Sequence, residues 1–244
     1  MRRILKNTIL TILILTLGVS TALLAWMHFY APDESDLAGE WVTELDLTEQ
    51  AAVRALAWLQ EIEAVSVSLE EVQAHMPELT VQVDMILEQT VPGEGNFSCH
   101  VLPESYDACE RAAYEAVAEV FRNLTAERLR MAGYTGGTDS ESVEELAAET
   151  FGMSTVSYLL YYGPDLLPAL EDLQIEYEGS GTYLTEDDIL TRQFESGRPG
   201  AVRRERYIWK DACLILSEES ESAIPGLFPD HYPILYTLKQ PAEY

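Results

Sequence analysis

The sequence predicts an α+β protein: an antiparallel sheet or barrel with a helical insertion, preceded by one N-terminal transmembrane helix. Three observations carry this. Apolar and polar residues alternate near Trp41 and Leu79 and again over roughly the last sixty residues, the period of half-buried strands. Between Ser105 and Leu173 the apolar period lengthens to about 3.6 residues, that of amphipathic helices. Ahead of both, Thr8 to Tyr30 holds no charged side chain apart from weakly basic His28.

Arg2, Arg3 and Lys6 precede that apolar run, and Asp33, Glu34 and Asp36 follow it. This asymmetry holds the N-terminus in the cytoplasm and carries the rest of the chain across the membrane. A helix of about 20 apolar residues spans the hydrocarbon. Trp26, Phe29 and Tyr30 then fall at the outer interface, where aromatic rings gather. Residues 1–32 therefore read as a signal-anchor segment and 33–244 as an extracytoplasmic domain on a single-pass membrane protein. The alternative is a cleaved signal peptide, with Ile9 to Val19 as its apolar core and Ser20-Thr21-Ala22 as the cleavage site, which gives a secreted protein.

The next elements follow from local pattern. Gly39-Glu40-Trp41 opens a first strand, Trp41 to Leu45. Asp46, with Glu49 three residues on, caps a helix that places Ala52, Leu56 and Leu59 on one face. Leu69 to Ala74 reads as a brief helical turn. Leu79 to Leu87 is the clearest strand; Pro92-Gly93-Glu94-Gly95 turns the chain and Asn96 to Val101 returns as its partner. From Ser105, Ala113, Val117, Val120, Phe121 and Leu124 line one stripe of a helix. Ser142 with Glu145 starts a second helix, which Gly163-Pro164 stops. Asp165 to Leu173 is expected to form a third. Strands then resume at Thr182–Leu184, Ile189–Phe194, Val202–Trp209, Ala212–Leu216 and Ile234–Leu238, with Glu186-Asp187-Asp188 and Lys210-Asp211 as turns. The stretch 105–178 is thus a helical insertion in one domain, and the first and last strands are expected to meet, which removes the exposed edges.

Composition narrows the partners. Fifteen cations, three of them before the apolar run, stand against 42 acids, none of which precedes Asp33. Such a body repels nucleic acid and anionic lipid, so no nucleic-acid partner is expected. The acids are scattered and form no calcium-binding loop. Arg192, Arg198, Arg203, Arg204 and Arg206 cluster, either as a docking patch or as partners for the chain's own acids. Cys99 and Cys109 flank a turn and are a candidate disulfide in an oxidising compartment, with three free thiols as the alternative. Cys213 reads as a small hydrophobe in a strand.

Gly39-x-Trp41 at the first strand, Gly181-x-Tyr183, Tyr207 leading to Leu214-x-Leu216, and Tyr232-Pro233-x-x-Tyr236 together resemble the lipocalin-like small barrels of exported bacterial proteins. The resemblance covers the first strand and roughly the last sixty residues and implies a closed antiparallel barrel. The helical stretch from Ser105 to Leu173 departs from that pattern.

Signatures of catalysis are missing from the sequence. There is no Gly-x-Ser-x-Gly elbow, and His28, His75, His100 and His231 are far apart. No His-Glu-x-x-His or Cys-x-x-Cys pair occurs, nor a glycine-rich nucleotide loop, so neither enzyme activity, nor a metal, nor a cofactor is expected. Adjacent Cys99 and His100 would point to opposite faces of a strand. The expected function is binding. If a pocket exists, Trp41, Tyr183, Tyr207 and Trp209 line it for a small apolar ligand, with the helix Val143 to Tyr162 as its lid. Tyr158, Tyr161 and Tyr162 are expected to pack in the core. The alternative is an interaction module with a filled core, which docks an envelope protein through its acidic surface or the Arg192 to Arg206 loop.

Overall fold

Eight antiparallel strands close into a barrel in the computed structural model, which describes residues 37–62, 67–195, 201–219 and 232–239. The strands are β1 Gly39–Asp46, β2 Thr80–Val91, β3 Glu94–Val101, β4 Gly179–Glu186, β5 Ile189–Phe194, β6 Val202–Lys210, β7 Cys213–Glu218 and β8 Ile234–Leu238. Each pairs with its successor in sequence, and β8 returns to β1 through Trp41 opposite Leu238 and Val42 opposite Thr237. The expected meeting of first and last strands is therefore present, although this seam is the shortest pairing of the eight.

Period-2 alternation sets which side chains fill the barrel. On β2, Val81, Val83, Met85 and Leu87 are buried while Gln82, Asp84 and Ile86 between them are half-buried. The paired register carries this face around the wall, from Met85 to Cys99 on β3 and from Leu87 to Phe97. Gly181 of β4 faces inward opposite Phe194. A Cβ there would run into the carbonyl of Gln193, so glycine lets the two strands bend closely.

Because neighbours are antiparallel, successive connections alternate between the two ends of the barrel. One end carries tight hairpins at Pro92-Gly93, Asp187-Asp188 and Asp211-Ala212. Asp187 and Asp211 adopt φ of 52° and 55° there, the left-handed conformation that matches the twist of paired strands. The opposite end carries every described helix. Helices α1 Thr48–Ile62 and α2 Leu69–Gln73 join β1 to β2; α3 Pro103–Met131, α4 Ser140–Phe151, α5 Thr155–Tyr162 and α6 Leu170–Tyr177 join β3 to β4. Their buried faces form one continuous core with the barrel, through Leu47, Ala51, Val101, Val117 and Leu173. The helices thus cap one end.

Two helical expectations are corrected. The single helix through Val143 to Tyr162 is two helices, because Gly152 takes a left-handed φ of 73° and the Ser154 side chain accepts from the Ser157 amide to start α5. The third helix begins at Leu170 rather than Asp165. The Tyr114 hydroxyl donates to the carbonyl of Pro164, and the Tyr106 hydroxyl to that of Pro168. Pro168 also disfavours helical geometry in the residue before it.

Among the described residues no helix is long and apolar enough to cross a membrane. The expected anchor at 1–32 lies outside the described residues, as do Arg198 and His231.

Candidate functional site

All four residues expected to line a pocket project into the barrel. Trp41 and Tyr183 are 2% and 3% exposed. Tyr207 and Trp209 are half-buried, on the same face of β6 as buried Glu205. Three of the four direct their polar atom to backbone: Trp41 Nε1 donates to Leu37 O at 2.9 Å, Tyr207 Oη to Asp187 O at 3.1 Å, and Trp209 Nε1 to Asp211 O at 3.1 Å. The Tyr183 ring lies over Gly95, its partner on β3. These rings therefore close the hairpin end from within.

Deeper in the barrel lies an ion pair. Arg192 forks onto Glu205, Nε to Oε2 at 2.7 Å and Nη2 to Oε1 at 2.5 Å, with both side chains almost fully buried. Tyr232 Oη donates to the same Oε1 at 2.6 Å. The third guanidinium nitrogen faces sulfur, 3.7 Å from Met85 Sδ and 3.6 Å from Cys99 Sγ. The Phe97 and Phe194 rings lie 5.7 and 5.9 Å from its carbon. Burial opposes charge on Arg192, but the Glu205 carboxylate outweighs it and holds the guanidinium well above its ordinary pKa. Burial also raises the Cys99 thiol, which Arg192 offsets only in part.

This interior is occupied by its own side chains. Met85, Leu190, Leu214 and Leu216 are completely buried, and Tyr236 nearly so. Two clefts open to solvent. One of about 450 Å³ follows the seam where β1 and β8 diverge, lined by Thr43, Leu45, Thr80 and Leu235. Another, of about 720 Å³, runs beside the loop before α6, with Arg54, Tyr106, Glu110 and Asp165 in its wall.

The structure holds Cys99 and Cys109 apart and unpaired. Cys99, Cys109 and Cys213 are free thiols. Cys99 points into the barrel beside Arg192, whereas Cys109 lies on α3 near Asp46 and Glu110, and burial pushes its thiol up to about 11. Cys99 and His100 do take opposite faces, one buried and one exposed.

The arginines of β5 and β6 are engaged within the chain. Besides Arg192, Arg203 donates to Glu176 O at 2.6 Å, Arg204 pairs with Glu219 at 2.8 Å, and Arg206 with Asp188 at 3.3 Å. Among the described residues, no group of three or more His, Cys, Asp or Glu side chains is placed to hold a metal ion.

The cap presents the opposite arrangement. Tyr161 and Tyr162, expected in the core, are 78% and 65% exposed, and Phe151 is 41% exposed. Phe151 stacks on Tyr158 with ring centroids 4.3 Å apart, Tyr158 meets Tyr162 at 5.3 Å, and Tyr162 meets Tyr161 at 6.4 Å. The sequence did carry a signal for this. Leu159 to Tyr162 is a run of four apolar residues, and a helix can turn only part of such a run inward. Leu159 takes the buried position.

Fold and surface together define a closed eight-stranded antiparallel barrel, filled within, whose helical cap carries an exposed aromatic cluster. No protein-family model, curated protein or solved structure matches the chain.

Proposed function

We propose that this protein is an interaction module of the cell envelope, held by its N-terminal segment, in which a lipocalin-like barrel is the scaffold and the helical cap is the docking surface. It acts by binding and performs no catalysis. The observation that carries this reading is the pairing of a filled barrel with exposed rings. Large side chains and the buried Arg192–Glu205 pair occupy the barrel interior, while Phe151, Tyr161 and Tyr162 lie open to solvent. Exposed aromatic clusters on a soluble surface mark interaction sites, and tyrosine is among the residues that dominate binding energy.

The rival reading is a carrier for a small apolar ligand held by Trp41, Tyr183, Tyr207 and Trp209, with the β1–β8 seam as the place where the barrel would open. Native mass spectrometry of the full chain, compared with the denatured chain, separates the two. The docking reading expects no small molecule to be lost on denaturation. A photo-cross-linking residue at Tyr161 is expected to yield a discrete protein adduct in the native host, and the same residue at exposed Asn96 on the barrel wall is expected to yield none. A reproducible small-molecule mass with no adduct at 161 would overturn the proposal.

A further inference from the structure

We infer that the α4–α5 face binds a protein surface with an apolar centre ringed by lysine and arginine. This rests on the docking reading above and adds the chemistry of the partner. The centre is uncharged: α5 reads Thr-Val-Ser-Tyr-Leu-Leu-Tyr-Tyr, in a chain of which 23% is charged. Its rim is mostly acidic, with Arg122 on α3 paired to Glu144 and Arg54 on α1 reaching the Asp165 carbonyl. The sequence holds no lysine or arginine between Arg130 and Arg192, whereas Asp139, Glu141, Glu145, Glu149, Asp165 and Glu171 flank α5 on both sides and are exposed. Two such features combine in one kind of partner. Rings buried at the centre supply affinity, and opposite charge at the rim supplies steering and rejects wrong partners.

The same charge argues against other occupants. Anionic lipid and nucleic acid are repelled. A second copy docking face to face would set these acids against themselves. A saccharide would stack on the rings and donate hydroxyl hydrogen bonds to the carboxylates, so it is one outcome of the test. The chain's own N-terminal segment leads into β1 at Gly39, on the hairpin end of the barrel, whereas α5 belongs to the cap at the other end.

The test uses the full chain in nanodiscs of zwitterionic lipid and two synthetic helical peptides of about 14 residues. The first has leucine on one face and lysine on the other; the second replaces each leucine by glutamine. Amide exchange across 151–162 and peptide affinity are read for the wild type and for the double variant Tyr161→Ser/Tyr162→Ser. The expected result is slower exchange at α5 with the leucine–lysine peptide. Affinity should fall at least about tenfold in the double variant and with the glutamine–lysine peptide. It should also weaken as salt rises from about 50 to 500 mM. Equal binding of the two peptides would mean that charge alone acts, and unchanged binding by the double variant would put the site elsewhere; either overturns the inference. So would self-association abolished by the double variant, or protection of α5 by a chitin oligosaccharide instead of the peptide. An adduct at position 161 in cells, with no response to the leucine–lysine peptide, would leave the docking reading standing and sink the charge rule alone.

Discussion

The barrel turns its aromatic residues inward, whereas the cap divides them between core and solvent. In the barrel the rings of Trp41, Tyr183 and Tyr236 are buried, as is an ion pair. The cap buries rings as well, Tyr106, Tyr114 and Tyr177 beside Ala113, Val117, Ala118 and Leu159, but leaves those of Tyr161 and Tyr162 outside. The geometry of each layer explains the difference. An eight-stranded barrel encloses a space that large side chains fill completely. Helices α4 and α5 pack on α3, whose buried face combines alanines with Tyr106 and Tyr114. The barrel therefore turns its rings into its core, whereas the cap leaves several of its own in water.

The largest effect expected from this contrast is at Arg192. Replacing it by Met leaves the Glu205 carboxylate buried without its cation, and removing one partner of a buried pair costs about 3–5 kcal/mol. Arg192→Met/Glu205→Leu should regain most of that loss in chemical denaturation, since neither charge remains. A double variant as unstable as the single one would show that the pair organises the barrel beyond its charge balance. Next come two neighbours in the cap. Leu159→Ala, at 0% exposure, should cost about 2–4 kcal/mol, and Leu160→Ala, at 50%, should stay within about 0.5 kcal/mol. Equal costs would mean that the face bearing Leu160 is packed, and the proposed division between the two layers would fail.

Much of the barrel was legible in the sequence because a strand declares itself over a few residues. Ile189–Phe194 and Ile234–Leu238 are strands at the expected bounds, and Asp187-Asp188 form the expected turn, with Glu186 ending β4. The cap was harder to read. Periodicity continues through Gly152, so only the left-handed geometry at that residue reveals that two helices replace one. The loop 164–168 is fixed by hydroxyls of Tyr106 and Tyr114, residues distant in sequence. The site was least legible for the same reason. The aromatic positions on β1, β4 and β6 do share the inward face, but whether that face encloses a ligand depends on Arg192 meeting Glu205 across β5 and β6. Spacing likewise suggested that Cys99 and Cys109 could meet, whereas the turn between them sends one into the barrel and the other along α3.

Acid should weaken the cap at a definite place. Burial alone would raise the Glu144 carboxyl, but hydrogen bonds from Thr155 and Arg122 outweigh it and hold its pKa below the ordinary carboxylate value. Glu144 Oε1 accepts from the Thr155 amide at 2.9 Å and Oε2 from Arg122 at 3.0 Å, tying α4 to the start of α5 and to α3. A depressed folded-state pKa contributes stability that is complete above the unfolded value and is lost as pH falls through the folded one. Glu144→Gln should therefore cost about 1 kcal/mol near neutral pH. The gap between variant and wild type should close as the pH drops below the carboxylate range. A gap that stays constant with pH would mean that the ionised carboxylate is not what joins these helices.

Only a small change in stability is expected at the rings themselves. Tyr161→Ser/Tyr162→Ser removes two side chains that are mostly in water, and such surface substitutions shift stability by no more than about 0.5 kcal/mol each. The double variant gives up only ring-to-ring packing, Tyr158 on Tyr162 and Tyr161 on Tyr162, on the outer face of α5. Thermal unfolding of wild type and variant should nearly coincide while binding separates them. If instead the variant lost as much stability as Leu159→Ala, the rings would belong to the fold, and the cap would be hiding its aromatic residues as the barrel does.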